Sequence, residues 1–214
     1  SAGIGIACWP GDAEDADTLL SRSELAMYAA KRKLSGALRY DAAIDSSSAQ
    51  NLSLLTELRR AVERNELRLY LQPKVPLHGQ SGCAAEALVR WQHPQRGMVP
   101  PMEFIPFAEQ TGFVRQLTLW MFEEVAKFLA QPAQQSQGLR VSVNLSTRDL
   151  LDPDLSHKLA ALLDRHGVLA SAFCLEITES AIMDDPLRAE AMLNRLSEQG
   201  FKLSIDDFGT GYSS

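Results

Sequence analysis

Four oxygen-bearing side chains, Glu86, Asn144, Glu176 and Asp206, stand at matching places in separate strand-like stretches, and Asp207 directly follows the last of them. In KLSIDDFGTGYSS, residues 202–214, the apolar alternation of Leu203 and Ile205 runs into the Asp206–Asp207 pair and then a loop with Gly209 and Gly211. Adjacent carboxylates at a strand end repel, and burying them is costly unless something positive lies between, for which a divalent cation is the usual candidate. Read alone, that stretch also fits a solvated Asp-Asp turn. The whole set contains carboxylates and an amide but no histidine, which selects a hard cation such as Mg²⁺ or Mn²⁺ over zinc. It holds more donors than one such ion needs, and Asp207 is placed to bridge to a second. The chemistry expected of a two-metal site is activation of water against a phosphate ester.

The elements that must position these groups show a repeated parity. In RVSVNLS, Val141, Val143 and Leu145 share one face while Ser142 and Asn144 share the other. In FCLEITES, Phe173, Leu175 and Ile177 oppose Cys174, Glu176 and Thr178, and in KLSIDD, Leu203 and Ile205 oppose Ser204 and Asp206. Earlier, Leu67, Leu69 and Leu71 oppose Arg68, Tyr70 and Gln72, and Ala85, Ala87 and Val89 oppose Glu86, Leu88 and Arg90. Helical stretches separate most of these strands, as in FIPFAEQTG, LTLWMFEEVAKFLAQ, DLSHKLAALLDRHG and LRAEAMLNRLSEQG. Strand–helix alternation implies βα units and a largely parallel sheet or barrel. A sheet covered on both faces is apolar on both, so the parity favours a barrel with helices outside and the polar set at its C-terminal mouth.

The rest of the chain is less specific. Residues 2–8 read as a short strand, and a helix starting near Thr18 ends in the basic AAKRK. DAAIDSSSAQN reads as a linker, after which Leu52, Leu55, Leu58 and Val62 recur at helical spacing as the apolar face of a covering helix. A net charge of −6 over 214 residues disfavours a nucleic-acid polymer or an acidic membrane surface as partner. The opening SAGIGIACWPGD has no basic, apolar leader, and three scattered cysteines do not make a disulfide framework, so the expected setting is cytoplasmic.

These motifs resemble two bacterial signalling families. Glu86, Ala87 and Leu88 spell EAL within AEALVRW, and QPKV, SVNLS, LEITES and DDFGTGYSS follow in the order and approximate spacing of EAL domains, the cyclic-di-GMP phosphodiesterases. The pieces SAGIGIACWP and SELAMYAAKRKLSG are similar to the end of GGDEF domains, the diguanylate cyclase fold, but the Gly-Gly-Asp-Glu-Phe string is absent. The resemblance implies a GGDEF remnant of α+β type at 1–43, a linker at 44–50, and at 51–214 an α/β, TIM-like (β/α)₈ barrel of the EAL type, truncated after about five strands.

Carried over position by position, the resemblance implies that Glu86, Asn144, Glu176 and Asp206 are ligands of a first metal. Asp207 looks like a ligand of the second metal, helping to orient the attacking water, and Glu179 like the anchor of the loop at 208–214. Gln72, Leu88 and Arg90 look like substrate contacts, Arg90 reaching a phosphate with its guanidinium fork. The implied reaction is hydrolysis of cyclic di-GMP to linear pGpG with two Mg²⁺ or Mn²⁺ ions. EAL domains continue past DDFGTGYSS with further strands bearing a catalytic lysine, a metal-binding glutamate and a substrate glutamine, so the expectation for these 214 residues alone is little activity and poor solubility, in a parent able to form a homodimer with upstream sensory domains.

Two rival readings stand beside this one. A non-catalytic cyclic-di-GMP receptor would use the same pocket only to bind, and without the family resemblance a barrel enzyme acting on sugar phosphates with one Mg²⁺ fits the same residues. His78, His93, His157 and His166 share no metal-binding spacing and read as surface or loop residues. Trp91, Trp120 and Phe122 read as packing between barrel and helices.

Overall fold

A computed structural model describes residues 3–32, 36–41, 54, 56–76, 83–135 and 138–206. The chain divides into two compact units, Ser1–Glu57 and Leu58–Ser214.

In the first unit, β1 (Ile4–Ile6) pairs in parallel with β2 (Ala37–Arg39), and α1 (Ala16–Arg32) connects them. The helix lies directly on the strand at Gly5, where an added Cβ would fall 1.9 Å from the Ser23 carbonyl oxygen and 2.2 Å from the Met27 nitrogen. Only glycine permits that approach. The Asp12 carboxylate accepts from the Cys8 amide at 2.6 Å, and Asp15 caps the start of α1 by accepting from Thr18 N at 2.7 Å.

The second unit holds a mixed sheet in the order β3 (Leu67–Lys74), β4 (Ala84–His93), β6 (Arg140–Leu145), β7 (Phe173–Thr178) and β8 (Lys202–Asp206), with β5 (Gly97–Val99) paired to β4. Strands β4, β6, β7 and β8 are parallel. Strand β3 is antiparallel to β4, a detail that the expectation of a largely parallel sheet did not specify. Residues 75–83 are too few for the crossover a parallel pair needs, so the chain can only turn back on itself. The α/β architecture and its five principal strands otherwise follow the parity of the sequence.

Helices α2 (Pro101–Thr111), α3 (Val114–Leu129), α4 (Pro132–Gln135), α5 (Thr147–Leu150), α6 (Leu155–His166), α7 (Glu179–Met183) and α8 (Pro186–Glu198) punctuate the sheet. The first long one, α3, buries Leu117, Met121, Phe122, Val125 and Leu129, a three-and-four spacing that forms one apolar stripe. These meet Val141, Val143, Phe173, Leu175 and Ile177 from the strands in a single core. Phe122 stacks on Phe173 with centroids 5.3 Å apart, and Phe201 meets both edge-on. Each such aromatic contributes large apolar burial plus a modest geometric term. The expected packing role holds for Trp91 and Phe122, both fully buried, while Trp120 is half-buried against the same core.

Residues 56–63 are helical, with Leu58 and Ala61 buried. Leu52 and Leu55 lie outside the described residues, as do the linker at 44–50 and His78. His93 corrects the expectation of a surface histidine. It ends β4, buried, with Nδ1 accepting from the amides of Gln95 and Arg96 at 3.1 Å each and its ring edge-on to Trp91. It closes the β4–β5 turn from within, a role its neighbouring proline concealed.

Candidate active site

The sheet register arranges the polar face in layers. Gln72, Glu86, Ser142 and Cys174 lie side by side across β3, β4, β6 and β7. One pleat higher on the parallel strands, Asn144, Glu176 and Ser204 form the next layer, and one pleat above that Thr178 stands beside Asp206. With two residues per layer, each step rises about 6.6 Å. The acidic and amide groups therefore climb diagonally across the sheet from Glu86 to Asp206.

Contacts within this face are specific. Asn144 donates through Nδ2 to Oε1 of Glu86 at 3.0 Å, spanning the first two layers. Glu176, only 8% exposed, forms an ion pair with Lys74, whose Nζ also donates to Oγ of Ser142 at 2.9 Å. Burial, and then the neighbouring Glu176 carboxylate, push the Cys174 thiol above its ordinary range. Thr178 ends β7 and caps α7 by accepting from the Ala181 amide at 3.3 Å. Glu179, expected as a loop anchor, is the first residue of that helix. Asp207 and residues 208–214 lie outside the described residues.

Of the expected substrate contacts, Gln72 faces Glu86 in register, and Leu88 and Arg90 follow Glu86 along the same face of β4. The Arg90 guanidinium lies 5.8 Å from the centre of the Tyr70 ring. A cleft of about 680 Å³ opens at the C-terminal ends of β4 and β6 beside α2 and α3, bounded by Leu88, Arg90 and Asn144 together with Val89, Leu117 and Val143, while Glu86, Glu176 and Asp206 are not among the residues that line it. That volume suits a small organic ligand.

Beneath the cleft, Asp149 locks the turn that follows Asn144. It is 1% exposed, and its Oδ2 accepts from Ser146 N at 2.8 Å, Ser146 Oγ at 2.6 Å and Thr118 Oγ1 at 3.0 Å. With the Asp149 amide donating back to Ser146, this is a capping box that also reaches across to α3. Burial raises the Asp149 carboxyl above its ordinary value of 3.8, against the pull of the Ser146 and Thr118 hydrogen bonds. Burial first, and then the Asp149 charge, also raise Glu109, which lines the cleft.

The fit of this face to a divalent cation rests on its donors. All are oxygens, and the buried Glu176 already requires a positive partner. Among the described residues, no three acidic, histidine or cysteine side chains converge on one point. Lys74 was not singled out by the sequence, although it shares parity with Gln72 on β3 and that alternation is the signal that marks it.

The description of the EAL domain family matches residues 55–214. The bifunctional diguanylate cyclase/cyclic di-GMP phosphodiesterase MucR of Pseudomonas aeruginosa is 37% identical over 216 residues, covering 100% of this chain and 32% of that protein. The cyclic di-GMP phosphodiesterase PdeR of Escherichia coli is 34% identical over 215 residues, covering 100% and 32% respectively. The chain thus spans about a third of the length of these curated relatives. Among solved structures, the PaMucR phosphodiesterase in complex with c-di-GMP aligns with a TM-score of 0.69 at 39% identity, over 76% of this chain and 66% of that one. The FimX EAL domain from Pseudomonas aeruginosa bound to c-di-GMP aligns at 0.68 and 27% identity, over 74% and 63%.

Proposed function

Because the chain belongs to the EAL domain family, we propose that residues 51–214 carry part of a site that hydrolyses cyclic di-GMP to linear pGpG. The observation that supports this best is the diagonal of Glu86, Asn144, Glu176 and Asp206 on one face of the sheet. In this reading those four residues hold a first Mg²⁺ or Mn²⁺ and Asp207 a second. Bound there, the two ions supply positive charge that acidifies a water and offsets charge on the phosphate.

The chain's own side chains do the positioning. Asn144 fixes the Glu86 carboxylate through its 3.0 Å hydrogen bond. Gln72 and Leu88 contact the nucleotide, and Arg90 offers two parallel N–H donors to a phosphate. Glu179, at the head of α7, anchors the loop at 208–214. The same reading takes residues 1–43 as the end of a GGDEF domain and the protein as cytoplasmic and able to form homodimers.

A second reading, a receptor that binds cyclic di-GMP without cleaving it, draws support from Lys74, which already neutralises Glu176. Chromatographic assay of cyclic di-GMP with the full-length protein and Mn²⁺ separates the two. Metal-dependent appearance of pGpG, lost in Glu86→Ala, is the result expected of the enzyme. Tight nucleotide binding with no turnover under Mn²⁺ or Mg²⁺ would favour the receptor.

A further inference from the structure

Lys74 reaches the acidic face from an unexpected side. Its strand is antiparallel to its neighbour, so the end of β3 lies at the beginning of β4, where Lys74 stands opposite Ala84. Ala84 in turn pairs with Arg140, one layer below Glu86 and Ser142. From that lower layer the lysine stem climbs past Ser142 to put its ammonium on Oε1 of Glu176. We infer that Lys74 is a resident counter-cation that competes with a divalent metal for Glu176, an inference that rests on the metal-binding reading of the same site.

The competition follows from charge and reach. An ionised carboxylate as enclosed as Glu176 cannot stay unpaired without a large desolvation cost. Lys74 meets that need when no metal is bound, and the Ser142 hydroxyl holds the ammonium in place. A divalent ion on the same oxygen would sit against the ammonium, and two cations there repel strongly in a poorly solvated site. The Lys74 side chain is 40% exposed, and its flexible four-carbon stem allows the ammonium to withdraw toward water while β3 stays where it is. Metal binding therefore carries the cost of breaking the Lys74–Glu176 pair. Conversely, the pair keeps the metal-free site electrically balanced.

The test is calorimetric titration of MnCl₂ alone, without nucleotide, into the full chain and its Lys74→Met and Lys74→Gln variants, with thermal unfolding in chelator alongside. Both variants should bind Mn²⁺ at least about tenfold more tightly, a gain of about 1.4 kcal/mol. Lys74→Met should also melt lower in chelator and recover when Mn²⁺ saturates the site, whereas Lys74→Gln, which can still donate to Ser142 and Glu176, should melt closer to the parent chain. Unchanged or weaker Mn²⁺ binding in both variants overturns the role of Lys74 while leaving the metal reading intact. Absence of Mn²⁺ binding in parent and variants alike overturns the metal reading and this inference with it. Binding by the variants alone supports the competition in its strongest form.

Discussion

The Nδ2 of Asn144 lies 3.0 Å from Oε1 of Glu86, joining two strands whose residues differ by one layer of the sheet. An amide donor can hold a carboxylate there without adding charge, whereas a second carboxylate would repel it. On the proposed phosphodiesterase reading, Asn144→Asp in the full-length protein should therefore lower turnover by about 10- to 100-fold, the range typical of a lost orienting contact at a metal site. Steady-state assay of pGpG formation checks this, and an unaltered rate would remove Asn144 from the site.

Asp149 governs both a stability and its pH dependence. Asp149→Ala leaves the Ser146 amide and the Ser146 and Thr118 hydroxyls without their acceptor, at a cost of about 1–3 kcal/mol. Urea denaturation at fixed pH measures this loss. Asp149→Asn keeps an acceptor and should cost less.

The raised carboxyls set the sign of the pH effect. Folded Asp149 holds its proton more tightly than the unfolded chain, whose ordinary value is 3.8, and Glu109 does the same above 4.5. At these two sites the native state thus binds the extra protons, and their contribution to stability is fullest below those ordinary values, while the lowered Asp152 carboxyl contributes in the opposite sense. The contribution of Asp149 and Glu109 should fall as pH rises through the raised native values, and Asp149→Asn should flatten that fall. Denaturation midpoints of the parent chain and of Asp149→Asn, compared from pH 4 upward, decide it; a difference between the two that does not change with pH would contradict the burial argument.

Phe173 is fully buried between Phe122 and Phe201, so Phe173→Ala opens a cavity in the middle of the core. The expected loss is about 3–5 kcal/mol, read from the shift in the urea midpoint. A loss below about 1 kcal/mol would mean that the neighbouring rings collapse into the space.

In the first unit, Gly5→Ala forces α1 away from β1, because the new methyl would overlap the backbone at Ser23 and Met27. Amide hydrogen exchange in β1 and α1 should quicken by about tenfold or more, corresponding to roughly 1.4 kcal/mol of lost local stability. Unchanged exchange would show that the helix can move aside.

What could be read from residue types alone depended on how local each cause was. The faces of β6 and β7 were legible because alternation is a property of the strand itself: Val143 goes to the core and Asn144 to the polar face whatever surrounds them. The direction of β3 was not, since it depends on the length of the connection to β4 and on pairing between distant segments. Lys74 escaped for the same reason, because its reach to Glu176 requires knowing that β3 runs backwards and delivers its end to the lower layer. His93 was misread because a histidine beside a proline looks like a turn residue, and its burial comes from Trp91 and the folded-back β5.

Thr178 closes β7 beside Asp206 and caps α7, with no residue between strand and helix. The junction consequently has no slack. The helix therefore takes its direction from the strand, and the residue that caps it is the one that stands beside Asp206.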